Sequence, residues 1–273
     1  MVRVSNVLIG TLNVLSATLS LSAIAISLYF RFHGGSECHK FIETPLLITG
    51  VVMFVVSIMG IMGSCGKMNL FLYLYLTVLF LCILGLIAFT VFAFIVTNEG
   101  AGKAISGRGY KEHKTGDYSN WMQNHIVNGK RWDRIKSCLV ETHVCSKLAK
   151  QGGLTIAEFD KKKLSPIESG CCKPPGECGF EFKNATNWVV PKSGLAVPNS
   201  DCKTWSNQQN ALCYDCDSCK GGFLGNIKQE WRYLLFFNIG TIVFVAIIYS
   251  TGCCASRNNR KDRKYEKYRG VYA

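Results

Sequence analysis

The residues most able to do chemistry are cysteines, and ten of the fourteen in the chain fall in two segments: Cys38 in one, and Cys138, Cys145, Cys171, Cys172, Cys178, Cys202, Cys213, Cys216 and Cys219 in the other. Cys213-x2-Cys216-x2-Cys219 has the spacing of a zinc, iron–sulfur or thiol-redox site. In an oxidising compartment the same thiols pair as disulfides. Nine is an odd number, so full pairing of the ten requires Cys38 to cross to the longer segment. Asn184-Ala185-Thr186 is an acceptor sequon for N-glycosylation if it is exposed outside the cytosol. His113, His125 and His143 lie in the same segment without an H-E-x-x-H pattern, and no G-x-S-x-G stands near a base. Lone loop histidines read as solvated surface, and no catalytic or cofactor-binding constellation emerges.

Which compartment holds these cysteines depends on the elements around them. Val7–Phe30, Pro45–Ser64, Leu70–Asn98 and Tyr233–Ser256 contain no Asp, Glu, Lys, Arg or His. Each approaches or exceeds the roughly 20 residues needed to cross a bilayer. With 48% hydrophobic and 18% charged residues, neither a disordered chain nor a soluble globule fits. Arg3 and Ala23-Ile24-Ala25 imitate a signal peptide, but the apolar run continues through Phe30, longer than a signal core. A retained first helix is therefore expected.

The expected fold is an all-α membrane protein: a four-helix bundle with a disulfide-rich, partly helical loop between helices three and four. Its segments are an N-terminus at 1–6, spans at 7–30, 45–64, 70–97 and 233–255, a small outer loop at 31–44, an inner link at 65–69, a large outer loop at 98–232 and a basic tail at 256–273. The tail carries seven basic residues against Asp262 and Glu266, and the link carries Lys67 without an acid. Basic flanks mark the cytoplasm, so both termini are expected inside. The large loop has 20 Lys and Arg and 14 Asp and Glu, but long loops translocate largely regardless of charge. With no RNP, zinc-finger or helix-turn-helix pattern, the net charge of +13 does not point to nucleic acid. The tail reads as a solvated stop-transfer cluster with a weak attraction to anionic lipid.

Cys65, Cys253 and Cys254 sit at the inner ends of spans, where S-palmitoylation occurs; Cys82 is mid-span and reads as a small packed hydrophobe. No span carries a charge for a proton relay or a voltage sensor. Asn13 and Asn238 are the largest polar groups there, and Asn13, Gly60 and Gly63 read as helix-packing devices. Within the large loop, Tyr118, Trp121, Met122 and Ile126 recur at helical spacing, as do Trp132, Ile135 and Leu139. Phe223, Leu224, Ile227 and Trp231 form a stripe leading into the fourth span as a stalk. Between them Gly152–Asn207 holds five of the six prolines and the scattered aromatics Phe159, Phe180, Phe182 and Trp188, a variable stapled lobe.

Four spans with a small first loop, a five-residue link and a large second loop resemble the tetraspanins. Ser169-Gly170-Cys171-Cys172-Lys173-Pro174 is similar to the plant branch, where animal members carry Cys-Cys-Gly. Nine loop cysteines, Gly109-Tyr110-Lys111-Glu112 and Gly116-Asp117-Tyr118-Ser119 agree with that branch, and the likeness covers the whole chain. The resemblance implies a non-enzymatic scaffold. It would organise other membrane proteins and tetraspanins into plasma-membrane microdomains, through homo- or hetero-oligomers made by the large loop and the helices. Plasmodesmata, extracellular vesicles, cell differentiation and cell–cell communication are the settings it implies. By likeness to animal members, Cys172 would bond Cys202, and Cys171 would bond Cys216 or Cys219. One departure is that helix three lacks the acidic or amide groups common in animal tetraspanins, so no role built on them carries over. The rival classes are a four-helix junction protein, whose loop order or cysteine triplets do not fit, and a small channel or transporter.

Overall fold

A computed structural model of the chain describes residues 4–33, 37–66, 68–98, 103–104, 108–150, 153–197 and 199–271. The helices are α1 (Val4–His33), α2 (Glu37–Ser64), α3 (Asn69–Asn98), α4 (Asn120–His125), α5 (Gly129–Glu141), α6 (Ser146–Ala149), α7 (Ile156–Lys161), α8 (Pro166–Cys171), α9 (Ser200–Thr204) and α10 (Asp217–Val271). Two small antiparallel pairs join β1 (Lys103–Ala104) to β2 (Lys111–Glu112) and β3 (Glu181–Asn184) to β4 (Asn187–Val189). Four helices are long and apolar enough to cross a membrane, over Val4–His33, Glu43–Ser64, Asn69–Thr97 and Asp217–Lys261. The stripe from Phe223 to Trp231 belongs to α10, which begins at Asp217. The chain forms two compact units.

The first unit gathers α1, most of α2, α3 to Val91 and α10 from Leu235. Its small core is Ile9, Leu72, Tyr75, Leu76 and Ala255. Large apolar side chains elsewhere on these helices, such as Leu19, Leu70 and Phe236, are exposed, as a lipid-facing surface requires. Because lipid is as apolar as leucine, helix contact relies on close approach and on hydrogen bonds. Asn13 Nδ2 donates to Ile9 O at 2.9 Å and to Tyr75 Oη at 3.2 Å. A Cβ at Gly60 would fall 2.5 Å from the Asn13 side chain, and one at Gly63 would fall 2.8 Å from the Leu72 backbone. Further links are Ser57 to Ser16 at 2.9 Å, Asn6 to Asn259 at 3.0 Å and Asn238 to Thr90 at 2.6 Å.

Cys82 corrects one expectation: it is exposed on α3 rather than packed. Apart from Tyr75, the polar contacts join pairs of helices through short uncharged side chains, which place little bulk between backbones.

The second unit holds Cys38 and the lobe from Phe92 to Leu234. Helices of four to six residues are unstable alone, and caps offset part of that cost. Thr155 with Glu158 and Ser165 with Glu168 form capping boxes at α7 and α8, and Pro166 occupies the first position of α8. The buried carboxylate of Asp201 receives the N–H groups of Asp217 at 2.8 Å and Ser218 at 2.9 Å, so it caps α10. Met122, Trp132, Leu139, Leu148, Phe159, Leu212, Tyr214 and Leu224 form the core together with cystine sulfurs.

Candidate functional site: the stapled lobe

Five disulfides join Cys38 to Cys138, Cys145 to Cys172, Cys171 to Cys219, Cys178 to Cys202 and Cys213 to Cys216. The adjacent pair at the end of α8 thus diverges: Cys171 is tied to α10, and Cys172 to the residue before α6. The Cys172–Cys202 pairing implied by animal tetraspanins does not occur; Cys202 bonds Cys178, 24 residues earlier. Cys171 takes Cys219 of its two alternatives. No group of three metal-binding side chains occurs among the described residues. Gly170 permits this arrangement, since a Cβ there would meet Ser218 O of α10 at 2.2 Å. The Ser218 hydroxyl in turn donates to Gly170 O at 3.2 Å.

Lys173, the next residue, is 1% exposed. Its Nζ lies 3.0 Å from Glu112 Oε1, 3.3 Å from Pro174 O and 4.9 Å from the centre of the Tyr110 ring. Glu112 also accepts the Gly176 N–H at 2.8 Å, with Arg108 at 3.6 Å. Burial alone would raise the Glu112 carboxyl, but Lys173, the Gly176 N–H and Arg108 together hold it below the ordinary carboxylate range. Burial pulls the Lys173 ammonium below its usual value, and Glu112 opposes that pull. Tyr110 Oη donates to Asp160 Oδ1 at 3.1 Å, and Ser169 Oγ donates to Lys111 O at 2.7 Å. The segments Gly109–Glu112 and Ser169–Pro174, some 60 residues apart, are therefore one contact.

This ion pair is absent from the sequence expectations. No local signal marks it, because a lysine directly after two cysteines reads as an ordinary loop charge until Glu112 is brought beside it. A second surprise is that the scattered aromatics are one cluster. Phe159, Phe182 and Trp188 have ring centres 5.1–5.8 Å apart, with Tyr110 at 6.0 Å from Phe159. His113 is a third. It is buried, its Nδ1 2.6 Å from Tyr118 Oη, and burial lowers its pKa. The solvated reading holds for neither its position nor its partner. Asn184 stands exposed where β3 turns into β4, and its Oδ1 accepts the Thr186 N–H at 3.1 Å. Cys65, Cys253 and Cys254 are free and exposed.

The arrangement is a rigid, covalently braced lobe with charge neutralised inside and no assembled nucleophile or metal cage among the described residues. The family model described as "Tetraspanin family" matches residues 5–255. The chain belongs to the tetraspanin family. It is 48% identical to Tetraspanin-8 of Arabidopsis thaliana over 99% of each chain, and 50% identical to Tetraspanin-11 over 97% of this chain and 98% of that one. Tetraspanin-7 of the same plant is 43% identical over 96% of this chain and 99% of that one. No solved structure matches. As a tetraspanin it is a multi-pass membrane protein with a scaffold role in the general sense of that family. In this tetraspanin α3 offers Thr90, and not an acid or amide, to Asn238 of α10.

Proposed function

We propose that this tetraspanin organises other membrane proteins, including further tetraspanins, into plasma-membrane microdomains, with the stapled lobe outside and both termini in the cytoplasm. It does so without catalysis and without a cofactor. The observation that carries the reading is the partition of cysteines. All ten in the second unit are paired, whereas Cys65, Cys82, Cys253 and Cys254 in the first are free. Such a division matches an oxidising side and a reducing side of one membrane. A braced lobe presents fixed side chains to partner proteins at little ordering cost, and the inert spans bring helices together. Plasmodesmata and extracellular vesicles are the membranes where we place such microdomains, serving cell differentiation and cell–cell communication.

Two modifications belong to this reading. Asn184 carries an N-glycan, and Cys65, Cys253 and Cys254 carry palmitoyl chains that bias lateral partitioning rather than anchoring, which four helices already secure. Glycosidase should raise the gel mobility of the wild type but not of Asn184→Gln, and protease on intact cells should spare a tag after Ala273. An unshifted wild type refutes glycosylation, and a lost tag overturns the topology. Mass-tag exchange of acyl groups should shift the wild type and leave the Cys65→Ser, Cys253→Ser, Cys254→Ser triple variant in place. Proximity labelling from the lobe tests the scaffold itself, which fails if only bulk surface proteins are labelled. Ion flux through the purified chain in liposomes would overturn it in favour of a channel.

A further inference from the structure

Trp121 is more than a third exposed, although it is the largest side chain of α4. Its ring meets Phe92 of α3 edge-on, with centres 5.1 Å apart. Phe92 lies five residues before Thr97, the last residue of that apolar span, so it sits about 7.5 Å down the helix from that end. The ring of Trp121 therefore lies against the last turns of an apolar span, and tryptophan gathers at span ends in membrane proteins because its body is apolar and its N–H is polar. His125 stacks on Trp121 with centres 4.9 Å apart and planes 10° from parallel, and its Nδ1 lies 3.1 Å from Trp121 O.

α5 continues the same surface. The Arg131 guanidinium donates to His125 O, and Lys130, Arg131 and Arg134 are all exposed. At helical spacing Lys130, Arg131, Arg134 and Cys138 share one flank. Glu141 is the acid on that flank, and Asp133 borders it on the Lys130 side, so three cations face two acids there. Cys138 is bonded to Cys38 of α2, and the span in α2 begins at Glu43, five residues on. Two independent tethers, Trp121 against Phe92 and Cys138 bonded to Cys38, thus tie α4 and α5 to segments that lie five residues from the ends of two apolar spans.

We propose that α4 and the basic flank of α5 dock on the headgroup layer of the membrane the chain itself spans. Trp121 is the interfacial anchor, and Lys130, Arg131 and Arg134 receive phospholipid phosphates, most strongly where the facing leaflet carries anionic headgroups. Phosphate oxygens accept from these cations, and the ring of Trp121 displaces water from the acyl boundary. Neutralising the flank weakens docking in anionic membranes by roughly fivefold for each charge removed. The inference requires that α3 crosses a bilayer; it stands whether or not the scaffold reading does.

The test uses the full chain in nanodiscs of phosphatidylcholine, with or without phosphatidylglycerol. The photoreactive residue p-benzoylphenylalanine is placed at position 121, and at position 189 as a control. Illumination should give lipid adducts from position 121 and far fewer from position 189. Hydrogen exchange over residues 120–137 should slow when phosphatidylglycerol is added, and the Lys130→Gln, Arg131→Gln, Arg134→Gln variant should lose that slowing while exchange elsewhere in the lobe stays unchanged. Protein–protein adducts at position 121, equal lipid adducts at both positions, or an exchange pattern unaffected by the substitutions would overturn the proposal. A failed search for partner proteins would move none of these readings.

Discussion

Asn13 and Lys173 are both buried, yet they answer burial in opposite ways. Among the described residues of the helical unit the buried polar groups are amides and hydroxyls, Asn6, Asn13, Ser57 and Asn259 among them. Each makes short uncharged hydrogen bonds, two of the links joining α1 to α3 and to α10. In the lobe the buried polar groups include Lys173 and Asp201, the first paired with Glu112 and the second accepting two N–H groups. The solvent explains the difference. A charge at membrane depth has nowhere favourable to go when its partner moves, whereas a water-bathed lobe can bury a charge provided every bond is made. The covalent frame follows the same line: the bundle has lipid around it, and the lobe, with its short helices, depends on bridges.

The largest effect expected is from the bridges. Cys172→Ser frees Cys145 and disconnects α8 from α6, and a native bridge in a small domain contributes about 2–4 kcal/mol. The variant should accumulate in the secretory pathway, while Cys82→Ser, in the other unit, should reach the surface normally. Peptide mapping of the non-reduced protein gives the sharper reading. Cys172 should appear with Cys145; a Cys172–Cys202 peptide would restore the animal pattern and sink the arrangement described here.

Next comes the buried pair. Lys173→Met removes the cation but leaves Glu112 with the Gly176 N–H and Arg108, so the loss should sit near the low end of the roughly 3–5 kcal/mol found for broken buried pairs. The carboxyl of Glu112 is held below its unfolded value. Its contribution is therefore complete above about pH 4.3, the unfolded value, and is lost as pH falls through the lower folded value. Thermal unfolding in detergent, followed by tryptophan fluorescence, should show the wild type losing this contribution in that acid range, below the loss that buried His113 brings as pH falls from about 6.5. Lys173→Met, with Glu112 less depressed, should show a shallower acid loss. Equal acid slopes would show that the pair does not govern the lobe.

Much of this was legible in the residues, and the parts that were not share a cause. The spans announce themselves because a charge-free run has one stable solvent. The count of bridges and the crossing of Cys38 follow from arithmetic. Connectivity does not, because it depends on where the chain folds back. His143 has φ of +47°, in the left-handed region, just before Cys145, and nothing local marks a histidine as adopting that turn. The Glu112–Lys173 pair and the Phe159, Phe182, Trp188 cluster are likewise products of contacts across tens of residues. Each separate residue resembles ordinary loop composition. Helical repeats inside the lobe were visible, since period 3.6 is a local property, but α10 extends further at both ends than its apolar run.

The smallest effect lies in the bundle, and it separates packing from hydrogen bonding. Gly60→Ala sets a methyl where the Asn13 side chain lies 2.5 Å away, so the amide must turn and its bond to Tyr75 Oη is lost. Asn13→Ala loses the same bond directly, and interhelical bonds in membranes are worth about 1 kcal/mol. Because both changes remove one interaction, they should not add. Gly60→Ala placed in the Asn13→Ala chain should cost little, since the smaller side chain has already cleared the space. Such coupling is what a double-mutant cycle measures, here read as unfolding in mixed micelles. Additive losses would mean that the glycine serves backbone approach to another part of α1, and that the amide and the glycine act separately.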